Sequence, residues 1–188
     1  VAGNITHMRG GTGTTGAALI TTGDAAAYPL GGFTYVCRFA TSDAATVSGS
    51  RMFIGLQAAT AAPTNVEPST LINCAGIAQL TSDPNQLHIV YGGSAAQTPI
   101  PLGTTNFTSS ANVPYELVLY SPATAVGRIY YEVTNLNNGI SVSGTLSGTS
   151  TVVPASTTLL CPHVWRTNNA TAAAVAVDIG NIYLETDQ

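Results

Sequence analysis

Trp165 is the only tryptophan of the chain, and Arg166, Thr167, Asn168 and Asn169 follow it directly. A flat apolar ring beside a cation and two amides suits a sugar, because a pyranose has one apolar face and a rim of hydroxyls. Stacking part of the indole on such a ring contributes on the order of 1 kcal/mol at roughly 25 cal/mol per Å². The expected ligand site is therefore Trp165, Arg166, Asn168 and Asn169. The plainer alternative is a tryptophan that plugs the end of the core, with a polar turn beyond it. Glu116 and Glu132 form a second constellation. A hairpin between the two segments that carry them puts both carboxylates on one outward face, as in glycosidase acid/base pairs. Arg128 shares that face and is expected to neutralise one of them, which favours a solvated, ion-paired surface.

The remaining chemistry-bearing residues are scattered. His7, His88 and His163 lie far apart and have no carboxylate or thiol at ligand spacing. No Gly-x-Ser-x-Gly elbow is present, and His88 is expected to point to solvent. Residues Gly11 to Gly16 match GxGxxG letter for letter. Dinucleotide binding also requires a strand before the motif, a helix after it and an acid about 20 residues on. That context is missing, so the stretch reads as a turned, glycine-rich arm. Cys37, Cys74 and Cys161 are an odd count without metal-like spacing, and Cys37 and Cys161 lie in apolar runs as expected of buried free thiols. No catalytic residue, metal or cofactor is expected.

The chain has 188 residues, of which 7% are charged. A typical share is about 25%. Thr, Ser, Asn and Gly take over the polar work: there are 27 threonines and no lysine. A net charge of −4 argues against nucleic-acid binding, which wants a basic surface. An apolar share of 45% argues against disorder. No apolar run is long enough for a membrane helix. Short hydroxyl and amide groups lose little side-chain entropy on being fixed. Such a surface suits a neutral ligand or an identical neighbour, and binding is expected to change little with salt.

The elements that must position these groups are strands. Phe33, Tyr35, Cys37 and Phe39 alternate with Thr34 and Arg38. Met52, Ile54 and Leu56 repeat the period, as do Leu87, Ile89 and Tyr91. Tyr115, Leu117 and Leu119 do the same, then Ile129, Tyr131 and Val133, then Val177 and Ile179 in a long last strand. Ala17–Thr22, Leu71–Leu80, Ile140–Leu146 and Thr157–Trp165 are weaker candidates. About ten strands at this spacing indicate an all-β, antiparallel two-sheet sandwich. Asn137-Asn138-Gly139 supplies a hairpin turn. Ala170–Ala176 lacks a 3.6-residue apolar stripe and is not expected to be helical. Residues 1–16 show no alternation and are assigned to an extended arm or linker that leans on the main domain or on a neighbouring chain, leaving 17–188 as the sandwich domain.

Two features carry a family resemblance. The run Pro114–Tyr120, then Gly127–Val133, then Asn137-Asn138-Gly139 with a return strand, looks like the central hairpin of concanavalin-like jelly rolls. Val175–Leu184 looks like their closing strand. With Phe33–Ala40, Arg51–Leu56, Ala62–Ser69 and Leu160–Asn169, most of the chain resembles C-terminal domains of tailed-phage tail fibres and related virion proteins. Gly10-Gly11-Thr12-Gly13-Thr14-Thr15-Gly16 is similar to the Gly-Gly-Thr-Gly repeat between fibre modules. The resemblance implies a concanavalin A-like jelly roll on the surface of a phage particle. It implies a non-enzymatic role: binding a host-surface glycan or receptor, or attaching to other virion proteins. A structural capsid-decoration or fibre-assembly domain without a host ligand is the alternative, and a glycan-cleaving enzyme ranks last. The resemblance also suggests a homotrimer. Its contact arm is expected at Gly10, Gly11, Gly13 and Gly16, where a neighbouring subunit could satisfy the backbone. The Asp/Asn metal pair of legume lectins is not evident, Asp83 and Asn85 being the nearest candidates.

Overall fold

The computed structural model describes residues 5–9 for their backbone path, then 32–43, 46–109, 112–123 and 127–186. Gly10, Gly11, Gly13 and Gly16 lie outside the described residues, and so does the GxGxxG-like stretch they belong to. Alternating apolar residues become strands because period two puts them on one face of a pleated ribbon. The strands are β1 (Ile5–Arg9), β2 (Phe33–Thr41), β3 (Arg51–Gln57), β4 (Cys74–Gln79), β5 (Leu87–Gly92) and β6 (Ile100–Pro101). They continue as β7 (Pro114–Ser121), β8 (Arg128–Asn135), β9 (Ile140–Ser147), β10 (Cys161–Thr167) and β11 (Val177–Thr186). The sole helical turn among the described residues is a 3-10 helix at Pro68–Thr70. Residues 170–176 form turns and irregular chain, as the missing apolar stripe indicated.

The strands form two antiparallel sheets, one of six strands in the order β1-β10-β3-β4-β5-β6 and one of five in the order β11-β2-β7-β8-β9. Between them lies a core containing Phe33, Tyr35, Phe39, Ile54, Leu56, Leu117, Leu119, Ile129 and Tyr131. Val177 and Ile179 pack against its margin. All three cysteines are buried; burial pushes the Cys37 thiol up to about 11 and that of Cys74 up to about 12.

Residues 5–9, part of the arm assigned from sequence, lie on the main domain as a strand that pairs with β10 from Ile5↔Thr167 to Arg9↔His163. The free edge of β10 offers backbone partners that a local pattern does not reveal.

The six-stranded sheet is covered on both faces. Its outer side carries a second cluster made by Phe53, Cys74, Ala78, Val90 and Trp165 with Leu71 and Leu80, and Val66 packs on it. Leu71 and Val66 come from the long connection between β3 and β4, which folds back over the sheet. Gly76 makes room for this layer: a Cβ there would meet the Phe53 ring at 2.8 Å. Arg51 ties the connection down, its Nε donating to Glu67 Oε2 at 2.9 Å and its Nη1 to the Asn65 carbonyl at 2.9 Å.

Candidate functional site

The Trp165 constellation is interior. Trp165 is 1% exposed and Arg166 0%, and Asn168 is buried as well. Trp165 points away from the inter-sheet core, as a ligand-binding residue would, but the β3–β4 connection closes over it. Arg166, one residue on, points into the sandwich. Its Nη2 donates to Asp43 Oδ2 and, at 3.1 Å, to Gln79 Oε1, while Nη1 donates to the Ala176 carbonyl at 3.3 Å. Asp43 Oδ1 accepts the Ala176 N–H at 3.0 Å. These bonds clasp the entry to β11 against the end of β2. Asn168 Nδ2 donates to the Ala173 carbonyl at 2.9 Å, and Asn169 Oδ1 accepts from Asn65 Nδ2 at 2.9 Å. Trp165, Arg166 and Asn168 are thus spent on internal hydrogen bonds and packing, whereas Asn169 is half-buried and bonds to Asn65 at the surface.

His88 also departs from expectation. It faces outward from β5 but is 5% exposed, with Nε2 at 3.5 Å from Asp83 Oδ2. Burial pushes its imidazole below the ordinary value, and Asp83 offsets only part of that. Asp83 also accepts a hydrogen bond from Gln86 Nε2. Among the described residues no three of His, Cys, Asp and Glu converge as metal ligands would.

The outer face of the five-stranded sheet is different, because no second layer covers it among the described residues. Register sets its rows. Thr34, Tyr120, Tyr130 and Thr145 lie across β2, β7, β8 and β9, and the next row is Val36, Val118, Glu132 and Ser143. Tyr120 and Tyr130 are directly opposite and stack, with centroids 6.1 Å apart and planes 28° from parallel. Tyr120 is 41% exposed. A shallow groove of about 280 Å³ opens beside them, lined by Val118, Tyr120, Tyr130, Glu132, Ser143 and Thr145. Tyr183, 49% exposed, stands on β11 on the same face, its hydroxyl donating to Glu185 Oε2 at 2.6 Å. The groove therefore offers ring faces with their phenol hydroxyls, the Glu132 carboxylate and the hydroxyls of Ser143 and Thr145. A further cavity of about 200 Å³ lies between residues 57–66 and β10, with Gln57, Ala62, Thr64, Val66, His163 and Trp165 among its walls.

Glu116 and Glu132 do share this outer face, as the hairpin implied. They are not opposite each other: Glu116 faces Thr134, and Glu132 faces Val118. The partner of Glu116 is Arg38 on β2, whose Nε donates to Oε2 at 2.6 Å, and not Arg128. Arg38 is the residue directly across from Glu116 in the β2–β7 register. Glu116 is thus engaged in a cross-strand ion pair of the sheet surface.

Sequence could have found the tyrosines. Tyr120 and Tyr130 occupy outward positions of the two best-alternating strands, where an aromatic ring has no core to fill.

No model of a known protein family matches the sequence, and no curated protein matches it. Solved structures do match in fold. Peanut lectin aligns with a TM-score of 0.62 at 12% identity, covering 100% of this chain and 82% of the lectin. Lectin II from Ulex europaeus aligns with a TM-score of 0.61 at 14% identity, covering 100% and 85%. The CBM2 module of an evolved Dit protein from Lactobacillus casei BL23 phage J-1 aligns with a TM-score of 0.52 at 11% identity over 88% of this chain. The chain spans 65% of the length of that phage module. At such identities the likeness is one of architecture: this chain is an all-β, antiparallel two-sheet jelly roll of the concanavalin-like kind.

Proposed function

We propose that the chain is a non-enzymatic glycan-binding module of a phage particle, directed at a host-surface polysaccharide. The observation that carries this reading is the stack of the exposed Tyr120 on the half-buried Tyr130, beside a groove lined by hydroxyls and a carboxylate. A sugar ring can lie on the tyrosine faces while its hydroxyls bond to Glu132, Ser143 and Thr145. A fold shared with two lectins and a phage module supports the class of ligand and the setting. Each ring contributes on the order of 1 kcal/mol at roughly 25 cal/mol per Å², so one site is weak and display in several copies supplies adhesion.

Titration against an array of bacterial surface glycans, at low and high salt, tests the proposal. Tyr120→Ala and Tyr130→Ala should each weaken binding roughly five- to tenfold, with little salt dependence because the groove carries no cluster of like charge. Unchanged binding in the double variant would remove the groove from the reading. If no glycan binds saturably, a structural virion domain becomes the better account. Release of sugar from the polysaccharide, lost in Glu132→Gln, would overturn the non-enzymatic claim.

A further inference from the structure

Among the described residues four strands end the two sheets: β1 and β6 in one, β11 and β9 in the other. A sheet edge presents a row of unpaired N–H and C=O groups, and proteins blunt it with short strands, proline, bulges or charge. β6 is two residues long and ends in Pro101. β11 has a register irregularity between Ile179 and Asn181 and carries Asp178 and Glu185. β1 is five residues long. β9 has none of these protections. Its eight residues, Ile-Ser-Val-Ser-Gly-Thr-Leu-Ser, contain no charge and no proline. They pair with β8 without a break, from Asn135↔Ile140 to Arg128↔Ser147. Among the described residues no strand lies beyond β9, and Ile140 is 43% exposed.

We propose that β9 pairs with β9 of a second copy of this chain, antiparallel about a two-fold axis at Ser143, joining two five-stranded sheets edge to edge. The strand is self-complementary in that register. On the outer face Ser143 meets its counterpart and Ser141 meets Thr145. On the inner face Ile140 meets Leu146 and Val142 meets Gly144. Every outer pair is hydroxyl to hydroxyl, every inner pair is apolar, and no charge is desolvated. The adjacent register, centred on Gly144, leaves Ile140 beyond the paired segment. A second copy is the favoured occupant because the same alternation that fits β9 to β8 fits it to itself.

A two-fold axis perpendicular to the sheet keeps both outer faces on one side. Ser143 and Thr145 line the tyrosine groove, so the groove would continue across the axis into that of the second copy. The two β8 strands would lie three strand spacings apart, about 14 Å at 4.7–4.9 Å each. One polymeric ligand could then meet both grooves. This last consequence rests on the glycan-binding proposal, whereas the pairing itself does not.

Sedimentation velocity of the full chain over a range of concentrations tests the pairing. A concentration-dependent monomer–dimer equilibrium is expected. Ser143→Lys places like charges opposite each other at the axis, which destabilises a strand pair, and should abolish the dimer with an unchanged circular dichroism spectrum. Asn181→Lys, on the opposite edge strand, should leave it intact. Ser143→Cys should form a disulfide-linked dimer on mild oxidation, since opposed Cα atoms about 4.5–5.5 Å apart fall within disulfide range. The native cysteines are buried and should not compete. A chain that is monomeric at every concentration, that forms trimers, or whose dimer survives Ser143→Lys overturns the proposal. The readout is oligomeric state alone, so failure of glycan binding leaves it standing.

Discussion

Replacing Asp43 by alanine should be among the most damaging single changes to this fold. The Arg166 side chain is 0% exposed and that of Asp43 2%, so their ion pair is fully desolvated. Asp43 holds two groups at once: Oδ2 accepts from Arg166, and Oδ1 accepts from the Ala176 N–H at 3.0 Å. Without the carboxylate, the guanidinium keeps only neutral acceptors, Gln79 Oε1 at 3.1 Å and the Ala176 carbonyl at 3.3 Å. Removing one partner of a buried pair costs about 3–5 kcal/mol, because the other charge stays buried without compensation. For a chain of this size, about 2–4 °C per kcal/mol converts that to a fall in Tm of roughly 6–20 °C. Urea unfolding of wild type, Asp43→Ala, Arg166→Met and the double variant completes a cycle. The double variant should be far less destabilised than the sum of the single changes, since it leaves no buried charge, and the coupling should reach about 0.5–3 kcal/mol. A loss under about 1 kcal/mol for Asp43→Ala would mean that the pair is open to water. Arg166 would then return to the surface groups able to meet a ligand.

Two further outcomes follow from the covered sheet face. Trp165→Ala should lower stability by about 3–5 kcal/mol in urea unfolding, as for other large buried aromatics, while glycan titration of the folded protein stays unchanged. A large loss of affinity without loss of stability would restore Trp165 as a ligand contact. Acidification should also weaken the fold through His88. Burial holds its folded-state pKa below the ordinary value, whereas the unfolded chain takes up the proton near a pKa of about 6.5. Its contribution is therefore fully present above that pH and is lost as pH falls through the lowered folded value. Tm measured between pH 8 and pH 4.5 should decline more steeply in wild type than in His88→Gln, and the reverse order refutes the assignment.

Much of the architecture was legible in the chain. Period two in Phe33–Phe39, Tyr115–Leu119 and Ile129–Val133 named both the strands and the residues that face the core, because side-chain alternation is a property of the extended backbone itself. The same pattern put Glu116, Glu132, Tyr120 and Tyr130 on one outward face. It could not say what lies over an outward face. Trp165 and His88 point away from the inter-sheet core, but the β3–β4 connection and the Asp83 turn close over them. Partners distant in sequence were equally out of reach. Arg38 reaches Glu116 across 78 residues and Arg166 reaches Asp43 across 123, pairings decided when β2 docks beside β7 and when the sheet carrying β10 closes on the sheet carrying β2. The pairing of residues 5–9 with β10 belongs to the same class. Alternation is written residue by residue into the chain. Which strands become neighbours, and which surface a loop covers, depends on how the whole chain closes, and here that moved the candidate site from the indole to the tyrosines.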